Sequence, residues 1–149
     1  ASSQTGGKGR LGRSFYSPQS SGVYFSILLK PDLEIQKAIL ITTAASVAVT
    51  RTLEILGSPN AQIKWVNDIF VDNKKVCGIL TESVINTETK KLDFAVLGVG
   101  INLVKPQEDF PEEIKNINDD INTKINIKIT ILLAFLFIAL THILPFCFN

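Results

Sequence analysis

Methionine is absent from this 149-residue sequence, and cysteine occurs only twice. Cys77 and Cys147 stand far apart with no metal-ligand spacing, which excludes a zinc knuckle and a disulfide-built secreted scaffold. Free thiols in a reducing, cytoplasmic compartment are the expectation. No secretory signal opens the chain. The lack of any Met together with a start at Ala1 suggests a fragment of a longer protein. Acid is missing from Ala1 to Pro31, and charge of either sign is missing from Ile129 to Asn149. Over the whole chain, 15 Lys plus Arg against 14 Asp plus Glu leaves a net charge of +1, so nothing global argues for a nucleic-acid or anionic-membrane partner. The acid-free N-terminal stretch is different, because Lys8, Arg10 and Arg13 crowd together there and create a positive field suited to a small anion.

Apolar patterning supplies the rest. Val23, Phe25, Ile27 and Leu29 alternate with their neighbours as a strand does, after a turn at Ser17-Pro18. Pro31-Asp32 ends that strand, and Asp32 can cap the helix after it. Ile35, Ala38, Thr42, Ala45, Val49, Leu53 and Leu56 recur at helical spacing up to Gly57, whose freedom at positive φ suits a C-terminal cap. Four short strands are predicted next, over Ala61–Trp65, Ile69–Asp72, Val76–Val84 and Leu92–Leu97, with turns at Asp72-Asn73-Lys74 and Asn86-Thr87-Glu88. Pro111-Glu112-Glu113 can start another helix. A strand, a helix and a run of hairpins predict an α+β fold with a mixed, largely antiparallel sheet flanked by helices, since a doubly wound sheet would need a helix between successive strands.

Three segments can carry chemistry. Gln4-Thr5-Gly6-Gly7-Lys8-Gly9-Arg10-Leu11-Gly12-Arg13 can turn several backbone N–H groups and three cations toward one anion. It lacks the Lys-Ser or Lys-Thr of a Walker loop and comes after no predicted strand. On composition alone, a loose basic arm fits it equally well. Lys64-Trp65-Val66-Asn67-Asp68 stands at a strand end, followed by Lys74-Lys75-Val76-Cys77-Gly78-Ile79-Leu80, where Gly78 inside a strand suggests close approach of a ligand or backbone. A surface Asn-Asp turn is the plainer account of the first of these. Gly98-Val99-Gly100-Ile101-Asn102 runs a strand into two glycines, for which a β-bulge is the simplest explanation.

In order and spacing these segments, together with Ser17-Pro18 and Glu82, resemble the catalytic core of bacterial biotin protein ligases over residues 1 to about 104. The resemblance implies a sheet akin to class II aminoacyl-tRNA synthetase and lipoate ligase cores. It implies formation of biotinyl-5′-AMP from biotin and ATP, with Mg²⁺, and transfer of biotin to a lysine of a biotin carboxyl carrier protein. Arg10 and Lys75 would neutralise charge as the biotin carboxylate attacks the α-phosphate. Gln4, Gly7, Lys8, Gly9, Arg10, Lys75, Gly78, Leu80, Gly98 and Gly100 would contact biotin, the loop being disordered in the free protein. Arg10, Arg13, Phe15, Lys64, Asn67 and Asn102 would address ATP, with Phe15 on the adenine and Asp68 near the metal.

The sequence departs from that family at Lys8, Phe15 and Val66, where Arg, Trp and Pro are usual. The family's upstream Ser-Thr strand and helix, its downstream β-barrel domain and the DNA-binding domain of its bifunctional members are not in these residues. The expected organisation is a partial catalytic core over 1–113 and a low-complexity, then apolar and helical, segment over 114–149. Apart from Lys128 and a few uncharged polar residues, Ile127 to Phe148 is apolar all round, and three origins fit it, in descending order: a sequence artefact, a helix buried against a missing segment, and a membrane anchor. Alternatives to biotin ligation are an inactive remnant that binds ligand or carrier only, a lipoate ligase, or a membrane-tethered fragment. A homodimer stays open.

Overall fold

The computed structural model describes residues 1–58, 60–107 and 110–118. Beyond Asn118 the low-complexity and apolar tail, with Cys147, lies outside the described residues. Five strands, β1 (Gly22–Leu29), β2 (Ala61–Lys64), β3 (Asp68–Val71), β4 (Lys74–Asn86) and β5 (Lys91–Asn102), form one sheet in the order β1-β5-β4-β3-β2. Each strand pairing in it is antiparallel. The one parallel contact among the described residues is an isolated bridge from Lys75 to Asn118. Helix α1 (Ile39–Ile55) covers one face, and a single helical turn, α2 (Glu112–Lys115), has Pro111 as its N-cap.

The helical stripe read from the sequence faces the sheet: Thr42, Ala45, Val49 and Leu53 are all buried. Ala44, Ala45 and Ala48 are small enough to bring α1 close to Ile69, Cys77, Ile79 and Ile101, which belong to the same core. One helix among the described residues, Ile35–Ile55, is long and apolar enough to cross a membrane, and much of it is buried within the protein. Gly57 ends the helix at φ 101°, where a side chain would be strained. Asp72 and Asn73 both take positive φ, 48° and 65°, in the two-residue turn that their types favour. Asn86 caps the other hairpin turn by accepting hydrogen bonds from the Glu88 and Thr89 N–H groups, both 3.0 Å.

Two expectations fail for physical reasons. Asp32 does not cap a helix, because its carboxylate accepts from Lys91 Nζ at 2.6 Å across the sheet edge, and the short 3₁₀ turn Ile35–Lys37 starts without a side-chain cap. The two glycines of β5 form no bulge: pairing is regular from Leu80↔Gly98 to Gly78↔Gly100, and the irregularities fall at Ile69/Phe70 and Val84/Ile85 instead.

Helix α1 also supports the turn between β2 and β3. The buried Ser46 hydroxyl lies 2.8 Å from the Val66 carbonyl and 2.9 Å from that of Thr42. The Trp65–Val66 peptide is cis, Val66 is buried, and Asn67 comes next, at the rim of the sheet. Ser46→Ala leaves the Val66 carbonyl without this donor and should lower stability by about 1–3 kcal/mol, read from the midpoint of urea denaturation at unchanged slope.

Candidate active site

On the face of the sheet away from α1, the strand register brings three rows together. Tyr24, Gly100, Gly78 and Asp68 stand side by side across β1, β5, β4 and β3; Ser26, Gly98 and Leu80 form the next row, and Leu28, Val96 and Glu82 the third. Glycine takes three central positions of these rows, and a cleft of about 230 Å³ opens over this face of the sheet.

The glycine-rich segment forms the roof. It folds as a hairpin: Gly9 N–H donates to Arg13 O at 2.7 Å and Phe15 N–H to Gly7 O at 2.8 Å, with Lys8 bridged to Ser14. Leu11 and Gly12 turn it at positive φ, 58° and 74°. Gln4 is tied to Ser17 twice, by its backbone N–H to the Ser17 carbonyl at 3.0 Å and by its side-chain oxygen to the Ser17 hydroxyl at 3.0 Å. Two contacts from the hairpin reach across the cleft. Arg10 Nη1 donates to Asn67 Oδ1 at 3.1 Å, and Lys8 Nζ lies 3.8 Å from Glu82 Oε1. The second pair is exposed and contributes little to stability.

Opposite the hairpin, Lys75 Nζ and Asp68 Oδ1 are 2.8 Å apart and mostly shielded from solvent. Asn67 Nδ2 lies 3.0 Å from the same Asp68 oxygen and 3.2 Å from the Ile79 carbonyl. A chain of contacts therefore runs from Arg10 through Asn67 and Asp68 to Lys75, and fixes two cations on either side of one cavity.

Of the residues singled out from the sequence, Gln4, Gly7, Lys8, Gly9, Arg10, Phe15, Asn67, Asp68, Lys75, Gly78, Leu80, Gly98 and Gly100 all line this cleft. Three do not. Arg13 is exposed on the outer turn of the hairpin, Lys64 holds its ammonium 5.2 Å above the Phe70 ring, and Asn102 is buried where β5 ends against Gly22. The structure adds Ser26 and Glu82, to which sequence reasoning gives no role. Ser26 was legible in principle, as the polar residue two positions after Tyr24 on an otherwise apolar strand. A second hollow of about 350 Å³ adjoins the first, lined by Leu11, Ile39, Thr42, Val66 and Thr81, and Arg10 and Glu82 border both.

A sequence model of the Biotin/lipoate A/B protein ligase family matches residues 1–102. The chain belongs to this family. The bifunctional ligase/repressor BirA of Bacillus subtilis is 39% identical over 117 residues, which are 78% of this chain and 35% of that protein. A biotin–acetyl-CoA-carboxylase ligase of Mycobacterium tuberculosis is 28% identical over 123 residues, 80% of this chain and 44% of that protein. Among solved structures, the biotin protein ligase of Aquifex aeolicus in complex with biotin and ATP superimposes with a TM-score of 0.77 at 32% identity, covering 97% of this chain and 59% of that one. The chain thus spans about a third of the length of the BirA relatives. The ligases' class II synthetase-like sheet is the fold observed here.

Beneath the cleft, Cys77 faces the core, and burial pushes its thiol far above the ordinary cysteine range, with the nearby Lys75 ammonium only partly opposing this. The thiolate is the reactive form, so Cys77 should resist iodoacetamide in the folded protein at pH 8 and react on denaturation, as read by mass spectrometry of its own peptide.

Proposed function

We propose that this chain carries the adenylate-forming site of a biotin protein ligase: it joins biotin to AMP and passes the biotinyl group to a lysine of a biotin carboxyl carrier domain. The observation that carries this reading is the placement of Arg10 and Lys75 on opposite sides of one glycine-floored cleft, linked through Asn67 and Asp68. Among the described residues no histidine or thiol lines the cleft, and the chemistry needs none.

In the first step a biotin carboxylate oxygen attacks the α-phosphorus of ATP. The bond to the bridging oxygen breaks, and pyrophosphate leaves with the electron pair. Both reactants are anionic, so the barrier is dominated by repulsion and by charge growing on the phosphoryl oxygens. Fixed cations lower it because they are already oriented when the charge develops. Arg10 borders two hollows, where two substrates would meet, and its planar guanidinium suits paired oxygens. Lys75 supplies a point charge from the sheet, oriented by Asp68. Gln4, held by Ser17, offers its amide to a polar ring, and the space over Gly98 accommodates the acid's body. Asn67, at the end of the Arg10 contact, addresses the phosphates. In the second step the carrier's lysine amine attacks the carbonyl carbon, AMP leaves, and the proton is lost to solvent; positioning is the main requirement.

Among the described residues no three His, Cys, Asp or Glu side chains stand together, so a metal cage built by protein alone does not fit. Mg²⁺ carried on the ATP phosphates, with Asp68 as one oxygen ligand, does. A cytoplasmic setting agrees with the buried free thiol of Cys77.

The test is exchange of labelled pyrophosphate into ATP. Biotin-dependent exchange is expected, and Lys75→Met should reduce it about 100-fold or more while biotin binding, measured by calorimetry, changes far less. Exchange driven by lipoate alone would reassign the acid, and exchange with neither acid would make the chain a binding remnant.

A further inference from the structure

The glycine pair at the centre of the sheet already has an occupant. Gly78 and Gly100 face each other across β4 and β5, and the Phe15 ring rests on both. A Cβ placed on Gly100 would meet Phe15 Cε1 at 2.5 Å and Cζ at 2.6 Å, and one on Gly78 would meet Cε2 at 2.8 Å. Tyr24, the neighbour of Gly100 on β1, closes the slot with its ring 6.3 Å away at 74°, edge to face. Tyr24 is itself buried, with its hydroxyl 2.8 Å from that of Ser21. Gly98, two residues along, is different. A Cβ there would find nothing nearer than Leu80 O at 3.5 Å and Ser26 Oγ at 3.9 Å, which is ordinary contact.

Phe15 is also the foot of the cationic hairpin. Its N–H donates to Gly7, and the Lys8–Ser14 bridge lies one step further out. Where the ring sits therefore decides where Lys8, Gly9 and Arg10 sit. We propose that Phe15, Gly78 and Gly100 form a seat that docks the hairpin on the sheet, so that these three are positioning residues for Arg10, while Gly98 alone leaves floor for a ligand. The inference deepens the proposed function and rests on that reading for its consequence in catalysis.

Limited trypsin digestion of the full chain without ligand tests it, because Arg10 and Arg13 are cleavage sites inside the hairpin. Cleavage after Lys90, in the β4–β5 turn, serves as the internal reference. A methyl group forced against the ring should undock the hairpin, so Gly100→Ala and Phe15→Ala are each expected to speed cleavage after Arg10 and Arg13 by roughly tenfold. The double variant should be no faster than either single one, since both remove the same contact. Phe15→Tyr, which keeps the ring, and Gly98→Ala should stay near the wild-type rate. If circular dichroism shows that Gly100→Ala has lost the fold, Gly78→Ala replaces it, striking the same ring from β4.

Wild-type cleavage in Gly100→Ala, multiplied rates in the double variant, or equal effects of Gly98→Ala and Gly100→Ala would each overturn the seat. Pyrophosphate exchange on the same proteins reads the catalytic proposal separately. If even the wild type fails to exchange, cleavage still decides whether the hairpin is docked by Phe15.

Discussion

The antiparallel ladder between β4 and β5 holds the rest of the structure in place, because its register decides which side chains share a face. With Gly78 opposite Gly100 and Leu80 opposite Gly98, the glycines gather on one side of the sheet and Cys77, Ile79, Val99 and Ile101 on the side of α1. Side chains alternate along a strand, so slipping the pairing by a single residue would turn the apolar set toward solvent. Burial of the second face is what forbids that slip. The same burial that stabilises α1 on the sheet thus holds the open face in its one functional arrangement, and the packing core and the candidate site are two consequences of one register.

Much of this was legible in the residues themselves. The stripe Thr42, Ala45, Val49, Leu53 marked the buried face of α1 because helical periodicity is a property of the chain alone, and Asp72-Asn73 marked a hairpin turn because few other residues tolerate positive φ. The ordered motifs from Gln4 to Asn102 named the family, and the match over residues 1–102 agrees with the span read from them. What could not be read was lateral. No local pattern says that Lys64 turns to the Phe70 ring while Lys75, with the same chemistry, turns to Asp68. That outcome depends on which strand lies beside which, and on the irregularity at Ile69/Phe70 that resets the pairing just before Lys75. Asp32 escaped its expected role for the same reason, since its partner Lys91 comes from the far end of the β4–β5 hairpin.

The electrostatics of the cleft stem from a shortage of acid. The hairpin brings cations and no carboxylate, and of the nearby acids Asp68 is tied to Lys75 while Glu82 stands out at the rim beside Lys8. Pairing at the rim is weak because water screens it. Pairing at Lys75 is stronger because both groups are mostly out of solvent, yet the Asp68 carboxylate is also held by Asn67, so the ion pair is oriented from both ends. Such an arrangement aims a lysine without a dedicated pocket, and among the described residues Arg10 donates to the neutral amide of Asn67 rather than to a second charge.

Glycine serves two opposite demands within this one sheet. At Gly98 the missing side chain leaves a hollow, whereas at Gly78 and Gly100 it admits an aromatic ring from the same chain. The two cases look identical in sequence, since each is a glycine within an apolar strand. They separate only when the hairpin is traced back over the strands and the distance from each absent Cβ is taken. A ring that docks through apolar contact does not depend on charge pairing, so a hairpin carrying three cations can be held against the sheet without neutralising them, and the positive charge stays available for an anionic ligand. That separation of anchoring from charge is the physical reason why an aromatic residue stands at the foot of a segment otherwise made of glycine, lysine and arginine.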